Sequence, residues 1–432
     1  MLDIDLIRRE PEKVRENLAR RRNEDYLRLF GELLTIDKDW RQSQAEAGEL
    51  RRRRNTLSRE LSEAKKAGKD TETLRTEAAD LPARLTELEA REALFDSRRK
   101  ELLLRLPNLL DESVPYGKDD SENVTAFEWG TKRSAPEGLP PHGEFLETHG
   151  LGDFERARRN SGGGFYYLFG PMVLLDMAVQ RLAMEMLVGK GFTPVIPPYV
   201  LRRAPYEGVT DLSDFENVMY RIEGEDLYLI ATSEHPIAAL YRGEILEEDR
   251  LPLRLAGISP CFRKEIGGHG VDQKGAFRVH QFHKIEQFVF CAPEDSAKIH
   301  EELRSNAEEF LQKLGIAYRV VNVCTGDLGI VAAKKYDLEG WFPRQGQYRE
   351  LVSCSNCTDY QARRLGIRSG KRGKPGKSVP HTLNSTMVAT PRALVALLEN
   401  YATSDGRISI PEALRPFLGG LKDIAAPSAL PH

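Results

Sequence analysis

"FRKEIGGHGVDQKGAFRVHQFHKIEQFVF", residues 262–290, places two β-rich runs around a glycine-rich loop, which predicts a hairpin. Its strands carry Arg263, Glu265, Arg278 and Glu286 where a core hairpin would show apolar side chains. Residues two apart on a strand share a face. Arg278, His280, Phe282, Lys284 and Glu286 therefore fall on one side, Arg263 and Glu265 share a side of the preceding strand, and Phe277, Val279 and Ile285 are left for packing. A solvent-facing sheet laced with cross-strand ion pairs would account for the charges. Phe282 amid them, continued by Phe288 and Phe290, fits better with an aromatic, phosphate-bearing ligand, with a ring for stacking and arginines for phosphate. Phe282 to Glu286 spans about 13 Å, comparable to a nucleotide.

The rest of the chain bounds this reading. Its 432 residues suffice for two or three domains, and 40% hydrophobic with 30% charged content describes a soluble globular protein. A net charge of -3 gives no global attraction to nucleic acid, so any such binding needs a local basic patch. There is no run of about 18 apolar residues, and "MLDIDLIRREPEKVRENL" is too charged for a signal peptide, so no membrane association is expected. Five cysteines fit a reducing, cytoplasmic setting. Cys354 and Cys357 form a single C-x-x-C with no second ligand pair, which reads as two packed thiols rather than a zinc site.

From about 28 to 105 the chain is rich in Arg, Glu, Leu and Ala. Leu50, Leu57 and Ala64 are spaced by seven, as are Leu74, Leu81, Leu88, Phe95 and Leu102, with Leu61, Ala78 and Leu85 between. Two helices broken near "KKAGKD" (65–70) read as an antiparallel coiled-coil hairpin; Gly68 and Asp70 favour a turn over a parallel oligomer. Pro82 should kink or break the second helix. Arg51, Arg52, Arg53, Arg54, Lys65 and Lys66 are either a solvated face or a basic lever for a phosphate backbone, and this segment alone does not decide.

A Pro-, Gly- and Asp-rich stretch (110–160) reads as a linker into a second domain. Beyond it, "MVLLDMAVQRLAMEMLVGKG" is an amphipathic helix, and Pro197 and Pro198 confine "FTPVIPPYV" to a sheet edge. Strands are predicted at "DLYLIAT", "PLRLAGISPCFR", "FRVHQFHKIEQFVF" and "AYRVVNV", a helix at 293–314, and a short basic loop at 369–378. The fold class is α+β with a mainly antiparallel sheet. In "TLNSTMVATPRALVALLENY" (382–401) a strand passes into a helix with Thr390 as N-cap and Pro391 first in the helix. Arg392 then sits where the helix dipole disfavours a cation, so it either holds an anion or folds back onto a carboxylate.

These segments resemble the class II aminoacyl-tRNA synthetases, specifically the seryl-tRNA synthetase family. "FRKE…GAFRVHQFHKIE" resembles the second class II motif, "LNSTMVATPRALVALLENY" the third and "FTPVIPPYV" the first; "LYLIATSEHPI" and "WFPRQGQYRELVSCSNCTDYQARR" resemble segments peculiar to the seryl enzymes. The likeness implies a class II antiparallel sheet flanked by helices behind a coiled-coil arm. It implies a tRNA-binding domain at 1–110, a catalytic domain at 111–432, and a homodimer. It also implies ATP-dependent activation of L-serine and transfer to tRNA(Ser), and to tRNA(Sec) where present. By resemblance, Arg263 and Arg392 are catalytic. Arg263, Glu265, Arg278, Val279, Phe282, Glu350, Ser353 and Arg392 bind ATP, with Glu350 and Ser353 also at Mg²⁺. Thr232, Glu234, Arg263, Glu286, Asn384 and Thr386 bind serine, and the arm's basic residues bind tRNA. His235 and His283 receive no role. A serine-adenylating paralogue feeding a biosynthetic pathway or carrier protein is the alternative, and the full arm counts against a carrier protein.

Overall fold

The computed structural model describes residues 1–265, 275–371 and 377–425. The expected glycine-rich loop after Glu265 and the middle of the basic 369–378 stretch lie outside them. The chain divides into two compact units, Leu2–Pro107 and Asn108–His432, the second including Met1.

In the first unit, two short helices (Ile4–Arg9, Pro11–Ala19) precede the antiparallel pair α1 (Glu24–Lys66) and α2 (Glu72–Arg105). Their 43 and 34 residues correspond to roughly 65 and 50 Å. Leu57, Leu81, Leu85 and Leu102 are buried in the seam, and the other heptad positions are half-buried. Helix α2 runs on through the exposed Pro82, so the expected break is absent. Neighbouring Leu81 and Leu85, packed in the seam, hold the turn from which proline removes one hydrogen bond. Arg51 pairs with Glu89 at 2.8 Å, and Arg53 with Glu77 at 2.6 Å, across the hairpin. Arg52, Arg54, Lys65 and Lys66 are exposed and carry no ion pair among the described residues.

The second unit is built on an eight-stranded sheet. In chain order its strands are β1 (Val124–Trp129), β2 (Thr193–Val195), β3 (Leu253–Phe262), β4 (Gln281–Cys291), β5 (Tyr318–Asn322), β6 (Lys334–Phe342), β7 (Gln347–Asn356) and β8 (His381–Ala389). Their spatial order is β1-β5-β6-β7-β8-β4-β3-β2. All pairs are antiparallel except the edge pair β2–β3, where the strand before Pro197 lies. Helices α3 (Pro171–Gly189), α5 (Ser296–Lys313) and α6 (Thr390–Tyr401) cover one face, where Ile285, Val289 and Cys291 join the main apolar core. The short helix α4 (Glu234–Ala238) packs on the other face.

Several expectations need correction. Strand β4 begins at Gln281, so Phe277, Arg278, Val279 and His280 precede it and strand parity does not govern them. Phe288 and Phe290 do share the face of Glu286, but they are fully buried in a second apolar cluster with Tyr206, Phe215 and Ile237. "DLYLIAT" supplies only the two-residue strand Tyr228–Leu229. Ala389, not Thr390, caps α6; the Thr390 hydroxyl is buried and makes no cap bond.

Gly257, opposite Glu286 in the register, lets α4 approach the sheet. A Cβ there would lie 2.5 Å from Ser233 Oγ and 2.6 Å from Ile237 Cδ1. Gly257→Ala should lower unfolding stability by about 1–3 kcal/mol, measured by urea denaturation, because the overlap is with packed side chains.

Candidate active site

A cavity of about 310 Å³ opens on the α4 face of the sheet. Every predicted catalytic, ATP-binding and serine-binding residue lines it: Arg263, Glu265, Arg278, Val279 and Phe282 toward one end, Glu350, Ser353 and Arg392 on β7 and α6, and Thr232, Glu234, Glu286, Asn384 and Thr386 at the other. The predicted tRNA contacts are in the other unit.

Strand register explains the convergence. Glu350 and Ser353 are three residues apart and would face opposite sides of a regular strand. A bulge shifts the β6–β7 register between Leu338↔Val352 and Glu339↔Glu350. The extra residue, Leu351, restores Glu350 to the cavity side. A second bulge in β8, between Thr386↔Glu286 and Val388↔Ile285, likewise brings Ala389 to the face that carries Asn384 and Thr386. Phe282, Lys284 and Glu286 obey plain parity on β4.

Charges in the cavity are matched one against another. The Arg263 guanidinium lies 5.3 Å from the Phe282 ring centroid, and its Nε donates to the Ala231 carbonyl at 3.2 Å. Arg278 is 3.7 Å from Glu265, whose φ of 47° is a strained left-handed conformation for a residue with a Cβ. Arg392 does fold back onto a carboxylate, donating to the Glu350 carbonyl at 2.9 Å and its carboxylate at 3.3 Å. Burial acts to raise the Glu350 pKa, but Arg392 and Lys335 outweigh it and hold the group below its ordinary range.

The far end holds two carboxylates and one lysine. Lys284 pairs with Glu286, which also accepts from Thr386 Oγ1 at 3.5 Å. Glu234 accepts from Gln361 at 3.0 Å. Burial pushes Glu286 up, and burial together with the Glu286 charge raises Glu234 to about 7. Asn384 donates to Cys357 Sγ at 3.6 Å; Cys357 and Cys354 are both buried free thiols.

Several residues received no role from sequence. Phe277 lines the cavity with Arg392 and Arg349 over its ring at 5.2 and 4.5 Å. Lys284 and Lys335 line it as well; the Lys-x-Asp spacing of Lys335 and Asp337 was the available signal for a same-face pair. His280 is absent from the lining: its ring bonds Tyr220 and stacks on Phe165 at 5.2 Å. His235 is buried and bonds the Tyr206 hydroxyl at 3.0 Å, and that hydroxyl accepts from Ala231 N–H. It thus braces the Thr232–Glu234 segment from behind. Burial, then the Lys284 charge, lowers its pKa to about 3, so it is neutral. His283 is half-exposed, 3.7 Å from Asp176 and outside the cavity.

Between pH 4.5 and about 7 the folded state keeps on Glu234 a proton that the unfolded chain releases, so this group's contribution to stability falls as pH rises through that window. His235 acts oppositely, its contribution being lost as pH falls from 6.5 toward 3. Glu234→Gln should therefore gain stability relative to the parent at pH 7.5 compared with pH 5, measured by urea unfolding at both; an equal difference at the two pH values contradicts the assignment.

Known proteins resemble this chain over nearly its whole length. Residues 217–401 match the class II tRNA synthetase core domain model (G, H, P, S and T), and residues 1–110 the seryl-tRNA synthetase N-terminal domain model. The serine–tRNA ligase of Methanocella arvoryzae is 58% identical over 425 residues, covering 98% of this chain and 100% of that protein. That of Thermococcus sibiricus is 47% identical, covering 97% and 96%. Among solved structures, seryl-tRNA synthetase from Pyrococcus horikoshii complexed with ATP superposes with a TM-score of 0.95 at 46% identity, covering 99% of this chain and 100% of that one. The cytoplasmic enzyme of Naegleria fowleri in complex with AMP gives 0.89 at 37%, covering 99% of both. No helix among the described residues is long and apolar enough to cross a membrane. With its class II sheet, its cavity and its full-length similarity to serine–tRNA ligases, the chain belongs to the seryl-tRNA synthetase family.

Proposed function

We propose that the cavity binds ATP with its adenine on Phe282 and serine between Glu234 and Glu286, and that residues 111–432 form the catalytic domain of this ATP-dependent ligase. The supporting observation is the charge balance at the serine end, where Lys284 pairs with Glu286 and the second buried carboxylate, Glu234, has no ion-pair partner among the described residues. The α-ammonium of an amino acid supplies the missing cation. Glu286 and Thr386 take the serine hydroxyl; alanine would leave their polar atoms unpaired, a penalty far larger than the one to three kcal/mol or so that a methyl group offers. Thr232 and Asn384 close the pocket around this small ligand.

Adenylation needs alignment more than a base, because the serine carboxylate is already ionised at neutral pH. It attacks the α-phosphorus, the bond to the β-phosphate oxygen breaks, and pyrophosphate leaves with the electron pair. Arg263 and Arg392 neutralise charge on the phosphates as it develops. Arg278 and Glu265 hold the nucleotide, together with the backbone at Val279. Glu350 and Ser353 present two oxygen donors on one face, and the Glu350 side chain is 44% exposed to the cavity. These two residues would hold Mg²⁺, which when bound would polarise the phosphoryl group. The terminal ribose hydroxyl of tRNA(Ser) then attacks the seryl-adenylate carbonyl and AMP leaves.

The 1–110 segment serves as the tRNA-binding domain, with Arg52, Arg54, Lys65 and Lys66 free for phosphates while Arg51 and Arg53 brace the hairpin. A cytoplasmic homodimer completes the proposal; the exposed Leu174, Met177 and Ile196 on α3 and beyond the edge strand β2 support it.

Deleting residues 30–102 should spare serine-dependent ATP–pyrophosphate exchange and abolish tRNA charging; loss of exchange in a folded variant contradicts the division of labour. Glu286→Gln should narrow the serine-over-alanine preference in exchange by at least tenfold. An unchanged ratio removes Glu286 from hydroxyl recognition.

A further inference from the structure

We infer that Lys335 is an additional substrate-contacting residue, holding the polyphosphate tail of ATP and the pyrophosphate that leaves. The inference rests on ATP occupying the cavity as proposed above.

Lys335 lines the cavity from β6, the strand next to the one that carries Glu350 and Ser353. Asp337, two residues along on the same face, is the cross-strand partner of Ser353. Lys335 itself is the register partner of Ser355, but its ammonium turns toward Asp337, its charge acts on Glu350, and its strand lies three steps across the sheet from the one that carries Glu286. Its ammonium is 3.0 Å from Asp337 Oδ2, its one ion-pair partner among the described residues. Three N–H donors sit on that ammonium, and one carboxylate oxygen engages only part of them.

The pair is incompletely satisfied in a way that a purely structural bridge need not be. Asp337 is 6% exposed, and its Oδ1 is buried with no hydrogen-bond partner among the described residues. An unsatisfied buried carboxylate oxygen is costly, and such sites persist where a ligand or function requires them. Around the phosphates, meanwhile, Arg278 is engaged by Glu265 and Arg392 by Glu350. A triphosphate carries about four negative charges, and two of the three arginines offered to it are already part-neutralised by carboxylates, so it needs more cation than they supply. Lys335 is the cation placed to meet it, with Asp337 as the residue that parks its ammonium between turnovers.

The test uses the double variant Lys335→Met/Asp337→Asn, which removes both charges and leaves no unpaired buried ion. ATP and AMP affinities are measured by calorimetry in EDTA, which separates the lysine from any effect on Mg²⁺, and the KM for pyrophosphate is measured in exchange. ATP affinity should fall at least tenfold, the pyrophosphate KM should rise by a similar factor, and AMP affinity should stay within twofold. Asp337→Asn alone should keep ATP affinity within a few-fold. Equal losses for ATP and AMP, or no loss for either, would overturn the role of Lys335 and leave a structural pair. Phe282→Ala serves as the control: if it does not weaken AMP, the nucleotide reading of the cavity fails, not the assignment of Lys335.

Discussion

A carboxylate taken out of water stays charged only beside a cation, and this constraint organises the cavity. Glu265 has Arg278, Glu350 has Arg392, Glu286 has Lys284 and Asp337 has Lys335. Glu234 has only the Gln361 amide among its direct partners, and burial with the Glu286 charge raises it to about 7. Burial raises Glu286 and Asp337 too, the latter to about 7, so their lysines offset the cost only in part. Each pairing keeps a polar group ready in a fixed place without collapse of the floor. Substrates carrying both signs of charge can then exchange with these partners rather than compete with water, which is how a preorganised site lowers a barrier.

Pairing would be useless if the groups did not share a face, and the backbone ensures that they do. Plain strand alternation suffices for Phe282, Lys284 and Glu286. The bulge at Leu351 recovers Glu350, and the one near Met387 aligns Ala389 and the start of α6, bringing Arg392 over Glu350. On the cavity side of the sheet, Gly257 admits α4, and the Tyr206–His235 contact fixes the segment that carries Thr232 and Glu234. Fold and chemistry meet at these few local irregularities.

Much of this was legible in the residues. The heptads of the arm, the edge strand before Pro197 and the charged face of β4 follow from periodicity, because period and burial are linked by geometry. The resemblance supplied roles that spacing could not, such as Glu350 and Ser353, whose shared face depends on a bulge. Failures occurred where local rules stop. Phe277 and Val279 are buried in apolar clusters as the packing reading has it, yet both also line the cavity, because they precede the strand and its parity does not govern them. Phe288 and Phe290 were placed at the ligand because parity fixes a face but not what covers it, and α4 with Tyr206 covers theirs. Pro82 was expected to kink or break its helix, and with seam packing on either side the helix runs on through it without a break.

The most direct test of the account is a crystal structure of the chain bound to a non-hydrolysable seryl-adenylate analogue. The account predicts the adenine stacked on the Phe282 ring, the phosphate mimic beside Arg263, and the serine hydroxyl within hydrogen-bond reach of Glu286 and Thr386. An adenine bound away from Phe282, or a serine hydroxyl facing neither Glu286 nor Thr386, would contradict it.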